Sequence, residues 1–438
     1  MSLPKYPNCK DTDVEWLGPI PAHWAICPLK AVASCNDEVL PEGTDADTLI
    51  EYVEISDVDE GKGITRTESM TFGAAPSRAR RVIRDGDVLI STVRTYLRAI
   101  ATVSNPPTNL VASTGFAAIR PRRTAPAFLG YLLHCEYIMS EVIARSVGIS
   151  YPAINASDLM SLKCPIPRME EQVAIGHFLD RETAKIDALV EEQERLIELL
   201  KEKRQAVISQ AVTKGMVSNV PMKESGLEWQ GNIPMHWTPT RLKALFRQEK
   251  RQGYAEKEVL SVYREFGVIL KDSRDDNFNK TPEDVSTYQL VEPGDLVVNK
   301  MKAWQGSLGI SALEGITSPD YVVFTATHAE LPEYLHLLLR SRPMVGTYLS
   351  ISNGIRLAQW RMEPEAFLAQ RVFIPPLDEQ ALIVSFVSAQ AAKWDALISE
   401  ADKAISLLRQ RRSALISAAV TGKIDVRSLT PQREAVAA

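Results

Sequence analysis

"IDALVEEQERLIELLKEKRQAVISQAVTKG" (residues 186–215) and "WDALISEADKAISLLRQRRSALISAAVTGK" (394–423) are one segment written twice. Aligned without a gap, 14 of 30 positions are identical. Both are rich in Ala, Leu, Glu, Lys, Gln and Arg, the residues that lose least on entering a helix. Neither holds Gly or Pro until Gly215 and Gly422, where helices commonly stop. Pro165, Pro167, Pro375 and Pro376 precede them, followed by Glu170, Glu171, Asp378 and Glu379, acids that suit a helix N-terminus. The pattern predicts two long helices. A helix from about 170 to 212 spans roughly 64 Å at about 1.5 Å per residue. Ile186, Leu189, Leu196, Leu200 and Val207 follow steps of 3, 7, 4 and 7, and Trp394, Leu397, Ala404, Leu408 and Leu415 are their counterparts. Such spacing asks for a partner helix, and the simplest partner is the other copy.

The repeat extends outward. "WLGPIPAHW" (16–24) and "WQGNIPMHW" (229–237) share six of nine letters and lie 213 residues apart. "PLK" (28–30) and "RLK" (241–243) keep that offset, while "RDGDVLI" (84–90) and "EPGDLVV" (292–298) are 208 apart. "PIPRMEEQ" (165–172) faces "IPPLDEQ" (374–380). The two Gly-Asp phrases read as a tight turn entering a strand. "AFLGYLLHCEYIMSEVIARS" (127–146) reads as an amphipathic helix, as does "LPEYLHLLLRSRPMVGTYL" (331–349), the latter broken at Pro343. The expected fold is α+β: two globular domains (1–167 and 216–373), each followed by a long helix (168–215 and 374–425), then a loose tail (426–438). The helices form an antiparallel coiled coil with a pseudo-two-fold repeat.

Bulk properties narrow the class. A chain of 438 residues exceeds one core, and its 45% hydrophobic and 24% charged content is ordinary for a globular protein. No run of 18 apolar residues predicts a membrane span, and the first residues lack a signal peptide's apolar stretch. Five scattered cysteines without a Cys-x-x-Cys pair argue against a disulfide framework or zinc site and for the cytoplasm. The net charge of −5 does not suggest wholesale coating of nucleic acid. Locally, Arg78 to Arg98 holds six arginines against two acids, and Arg241 to Lys257 six bases against two acids. Such patches either meet phosphates or form solvated faces.

These phrases together resemble the specificity subunit of type I restriction-modification systems. The resemblance rests on the two Trp-x-Gly-x-Ile-Pro-x-His-Trp segments, "IPPLDEQ" with its variant "IPRMEEQ", and "LLKEKRQAVISQAVTKG" with "LLRQRRSALISAAVTGK". It covers nearly the whole chain. It implies two target-recognition domains on double-stranded DNA, two adenine-methyltransferase (modification) subunits as partners, and ATP-dependent restriction subunits that translocate and cut. It implies no cofactor and no catalysis in this chain. The first copy departs from the pattern with Arg-Met where Pro-Leu is usual, which touches only the helix entry.

The residues agree with a non-catalytic reading. "NPPT" (105–108) is similar to the Asn-Pro-Pro-aromatic motif of adenine methyltransferases, but Thr108 replaces the aromatic that would stack on a flipped base. There is no Gly-x4-Gly-Lys-Ser/Thr phosphate loop. His23 and His236 have no second ligand at metal spacing. DNA contacts are therefore expected from the globules, where Arg and Lys suit guanine and Asn and Gln suit adenine. The candidates follow the Gly-Asp strands: Arg94, Tyr96 and Arg98 in "STVRTYLR", and Asn299, Lys300, Lys302, Trp304 and Gln305 in "NKMKAWQG". A second pair of loops adds Tyr151 and Asn155 in "GISYPAIN", and Arg356 and Gln359 in "GIRLAQW". Strongly diverged globules on little-diverged helices predict an asymmetric, bipartite target with an unread spacer. The rival reading is a coiled-coil scaffold that binds only proteins, which suits the acidic charge but not the arginine-rich globules.

Overall fold

The computed structural model describes residues 3–14, 16–148, 151–217, 219–274, 281–353 and 360–429. It divides into two units, Met1–Gln193 with Lys403–Ala438, and Glu194–Asp402.

In the first unit the strand Val88–Ser91 sets the layering. All four residues are buried, and the period of two sends Val88 and Ile90 into one core and Leu89 into another. The strand lies inside an antiparallel sheet of order Ile100–Thr102, Val88–Ser91, Phe116–Pro121, Ala33–Cys35. Helices α1 (Pro126–His134) and α2 (Glu136–Ala144) cover one face with Phe128, Leu129, Leu132, Ile138 and Val142. The other face joins Val53, Leu110 and Ala112 from a second four-stranded sheet, which contains one parallel pair. Each fully buried side chain of this size contributes about 1.5–3 kcal/mol. The segment 127–146, expected as one helix, is two, because Cys135 adopts an extended backbone between them. Helix α3 (Ala156–Met160) leads to strand Lys163–Ile166, which pairs with Ala25–Pro28 and delivers α4 (Met169–Lys214).

The second unit repeats the plan. After α5 (Leu242–Leu245), Leu296 and Val298 face one core and Val297 the other, as do Val322 and Phe324 against Val323 in the neighbouring strand. Helices α6 (Pro332–Leu339) and α7 (Arg342–Ser350) meet at Arg340 and Ser341, so the break falls just before Pro343, which sits in the first turn of α7. Helix α8 (Pro364–Leu368) and strand Arg371–Ile374, paired with Thr238–Arg241, deliver α9 (Leu377–Val420).

Each unit holds part of both long helices side by side. In the first, Arg412 Nε lies 2.8 Å from Asp187 Oδ1, and Arg181 Nη2 donates to Leu429 O at 3.2 Å, so the segments run antiparallel. In the second, Arg204 Nη1 donates to Asp395 Oδ1 at 2.7 Å, and Ile208 and Val212 share a core with Ile383 and Val387, again antiparallel. The seam corrects the expected one. Leu189, Leu196 and Leu397 are 45%, 42% and 47% exposed. Their neighbours Val190, Ile197 and Ile398 are the covered residues instead. Ile186 and Trp394 are buried, and Leu200, Val207, Ala404, Leu408 and Leu415 are half-buried. The covered stripe on α4 runs Thr183, Ile186, Val190, Gln193, Ile197, Leu200 and Arg204, a continuous alternation of 3 and 4. It tolerates polar residues because ion pairs such as Arg204–Asp395 satisfy them.

The twin tryptophan phrases knit the helix ends to the globules. His23 Nε2 lies 2.8 Å from Glu171 Oε2, in the first turn of α4, and Tyr6 donates to the other oxygen at 2.6 Å. In the second unit His236 Nε2 lies 2.7 Å from Glu379 Oε2, in the first turn of α9, and Trp237 Nε1 donates to the same carboxylate. Gly422, at φ +71°, ends α9 in a left-handed residue, and a Cβ there would fall 2.3 Å from Pro21. The repeat starts earlier than the tryptophans: Lys10 Nζ donates to Trp24 O at 2.5 Å and Lys223 Nζ to Trp237 O at 2.9 Å, again 213 residues apart. "NPPT" forms a turn in which Asn105 takes φ +49° and its N–H donates to Asp85 Oδ1.

Candidate nucleic-acid interface

Both units carry the same turn after the Gly-Asp strand, fixed by the same backbone bonds. Ile154 N donates to Thr92 O at 2.9 Å, and Met362 N donates to Lys300 O at 2.9 Å. Thr92 therefore corresponds to Lys300 and Ile154 to Met362, both 208 residues apart. Each turn holds a short 3-10 helix, Thr95–Leu97 or Ala303–Gln305, whose first residue is buried. Backbone atoms hold the loops together, so the outward side chains are free to differ.

In the first unit Arg94 takes φ +52° and its N–H donates to Pro152 O at 2.8 Å. Its guanidinium lies 4.7 Å over the Tyr151 ring, a cation–π contact joining the two candidate loops. Tyr96, Leu97, Tyr151 and Asn155 are exposed around it. Arg98 is placed differently. It takes φ +51°, donates to both Glu136 oxygens at 2.6 Å, and reaches Glu60 at 3.3 Å. These carboxylates raise its already high pKa further, the Glu136 hydrogen bonds most. Arg98 thus belongs to the fold's own ion pairs, a correction to its reading as a base contact.

In the second unit Gly306, at φ +85°, stands where Arg98 stands in the first. Asn299 Oδ1 accepts from Met301 N and Lys302 N, so this side chain builds the turn. Lys302 is exposed and Gln305 half-buried. Trp304 packs edge-on against Trp360, ring centroids 4.9 Å apart, and donates through Nε1 to Met301 O. Arg356 and Gln359 lie outside the described residues. Trp360 and Arg361 were missed by the sequence reading. The signal available for Trp360 was its place at the end of the quoted "GIRLAQW", where the amides and cations drew attention first.

Several cations of the arginine-rich stretches are held by neighbouring carboxylates. Arg78 pairs with Glu54, Arg84 with Glu38, Arg247 with Glu249, Arg251 with Glu292 and Asp295, and Lys257 with Glu314. Among the described residues, Lys250, Lys300, Lys302 and Arg361 are in no ion pair. No group of His, Cys, Asp and Glu among the described residues has the arrangement to hold a metal ion.

The two units thus share one backbone plan, and each offers a turn that carries a cation and an aromatic side chain. Residues 48–199 match the family described as type I restriction modification DNA specificity domain. The chain is 21% identical over 437 residues to the type I restriction enzyme EcoKI specificity subunit of Escherichia coli K12, covering 93% of this chain and 90% of that protein. It is 20% identical over 437 residues to the StySPI specificity subunit of Salmonella potsdam, with the same coverages. A solved structure described as the structural basis of complex assembly and conformational transition of the type I R-M system superposes with a TM-score of 0.62 at 23% identity, covering 92% of this chain and 99% of that one. The chain is similar along nearly its whole length to specificity subunits of type I restriction-modification systems, and it shares the fold of the solved structure.

Proposed function

We propose that each unit reads one half of an asymmetric, bipartite DNA target, and that the two long helices set the unread spacer and dock two modification subunits. Restriction subunits complete the assembly, which works in the cytoplasm. The observation that carries this reading is the pair of equivalent turns: "TVRTYLR" (92–98) and "KMKAWQG" (300–306) share backbone bonds but not side chains. Equal framing supports equivalent approaches to DNA, and unequal side chains support unequal half-sites.

The helix surface supports partner docking. Helix α9 carries a stretch long and apolar enough, by length and composition alone, to cross a membrane, and little of it is buried. Leu382, Phe386 and Leu397 are exposed on α9, and Leu189, Leu196 and Leu199 on α4. Apolar side chains left open outside a paired seam suit a protein partner.

The test is to co-express the chain with its modification subunits and map methyl-adenine across a host genome. The expected result is a two-part motif with a fixed gap. Deleting seven residues from each helix keeps the seam in phase and shortens each by about 10 Å, or about three base pairs at roughly 3.4 Å each. The mapped gap is expected to shift by that amount or methylation to be lost; an unchanged gap removes the spacer role.

A further inference from the structure

Three cations converge at one corner of the second unit. Strands Phe246–Gln248 and Leu296–Asn299 flank Tyr321–Ala326 and both run antiparallel to it, so they run parallel to each other towards its start, the first ending opposite Phe324 and the second opposite Tyr321. Lys250 follows the first of them and Lys300 the second. Arg361 opens the loop strand paired with Ser352–Asn353, and Met362 N bonds to Lys300 O. Lys250 and Arg361 are exposed, and Lys300 is half-buried. The Trp304–Trp360 pair sits on the same two loops.

The corner has too little negative charge. Lys300 Nζ donates to Pro319 O at 2.7 Å, which leaves two of its three protons for another acceptor. Burial, then Arg361, push the Lys300 pKa down, Lys250 adds to the fall, and Asp320 offsets part of it. Lys250 and Arg361 thus stand near Lys300 together with the single carboxylate Asp320.

The first unit lacks the feature. Val82 N donates to Glu38 O and Leu290 N to Arg251 O, which aligns Glu38 with Arg251 and so Asp37 with Lys250. Lys300 corresponds to Thr92, and Arg361 to Ala153. The same corner there carries Asp37, which is paired with Arg122.

We propose that Lys250, Lys300 and Arg361 form a phosphodiester clamp on the DNA backbone at the half-site read by the second unit, with no counterpart in the first. The proposal rests on the reading of each unit as a half-site reader. The clamp fixes register and supplies affinity without choosing bases. It makes the salt dependence of binding a property of one end of the target.

The test uses the full chain bound to its modification subunits, titrated by fluorescence polarisation onto a duplex carrying the mapped target and onto an unrelated duplex, from 50 to 200 mM salt. Lys250→Ala, Lys300→Gln and Arg361→Ala are each expected to flatten the slope of log affinity against log salt by about 0.9, and the triple variant by about 2.7. The loss is expected to be equal on both duplexes, leaving their ratio unchanged, while Thr92→Ala leaves the slope as it was. Lys250 and Arg361 are exposed, so their variants keep the test valid if Lys300→Gln unfolds. An unchanged slope, or a loss confined to one base position of the target, overturns the clamp. Wild-type complex that prefers no duplex overturns the half-site reading instead, and the slopes on unrelated duplex still decide the clamp.

Discussion

The two units hold the same buried acid with oppositely wired charges. Asp87 and Asp295 close the Gly-Asp turn by accepting Arg84 N at 2.8 Å and Glu292 N at 2.9 Å. Both carboxylates are almost wholly buried, at 0% and 4% exposure. In the first unit Arg120 neutralises Asp87, while Glu38 bridges Arg84 and Arg120. In the second, Arg251 stands where Glu38 stands, and Glu292 where Arg84 stands. The outer pair is therefore reversed in sign, and Arg251 itself reaches Asp295. The difference teaches which charge the fold depends on. The Asp is fixed by the backbone amide it accepts; the others need only neutralise it.

The comparison can be broken most forcefully by removing the neutralising cation. Arg120→Ala and Arg251→Ala each strand a buried carboxylate, and breaking such a pair costs about 3–5 kcal/mol. Urea denaturation is expected to show comparable losses from either variant, although Arg120 lies in a strand and Arg251 in a loop. A loss below about 1 kcal/mol in one unit alone contradicts the claim that both depend on one cation in the same way.

A charge exchange sharpens the comparison with a smaller effect. Arg84→Glu places two carboxylates together beside Asp87 and is expected to cost about 1–2 kcal/mol, the lost pair plus the new repulsion. Adding Glu38→Arg installs the second unit's wiring in the first and is expected to restore most of that loss. A double-mutant cycle reads the coupling as about 0.5–3 kcal/mol in favour of the exchanged pair. Additive single effects would mean that the two positions are independent and the reversal is incidental.

This wiring was beyond the sequence for a physical reason. Glu38 and Arg84 lie 46 residues apart, and Asp87 and Arg120 lie 33 apart, so no local pattern joins them. What was legible rests on period and punctuation. "DGDVLI" and "PGDLVV" announce a turn and a fully buried strand, and the structure places both inside four-stranded sheets. The long helices were legible from the absence of breakers, but their seam was not. Leucines drew the stripe through Leu189, Leu196 and Leu397, whereas the covered stripe runs through Gln193 and Arg204 and leaves those leucines exposed. The turns after the strands were found by their position, and Lys302 and Trp304 stand on them. Arg98 was misread because its value as a guanine reader and as a partner for Glu136 looks identical in one dimension. The clamp corner was missed because strand order, not spacing, brings Lys250 beside Lys300.

The smallest effect concerns Glu38 itself. Hydrogen bonds from Arg84, then Arg120, hold its carboxyl down to about 2, against an ordinary value of 4.5. The folded chain therefore binds this proton less readily than the unfolded chain. The resulting stability is present above about pH 4.5 and is lost as pH falls towards about 2. Glu38 is 37% exposed, so solvent screens the interaction, and its contribution is at most about 1 kcal/mol. Glu38→Gln is expected to lower the melting temperature slightly at pH 7 and to flatten its decline between pH 4.5 and pH 2. At the equivalent position Arg251 holds the Asp295 carboxyl down against the rise that burial causes, so Arg251→Gln is expected to lower stability at pH 7 as well. A decline in Glu38→Gln as steep as in the unaltered chain would remove Glu38 as a source of the acid sensitivity.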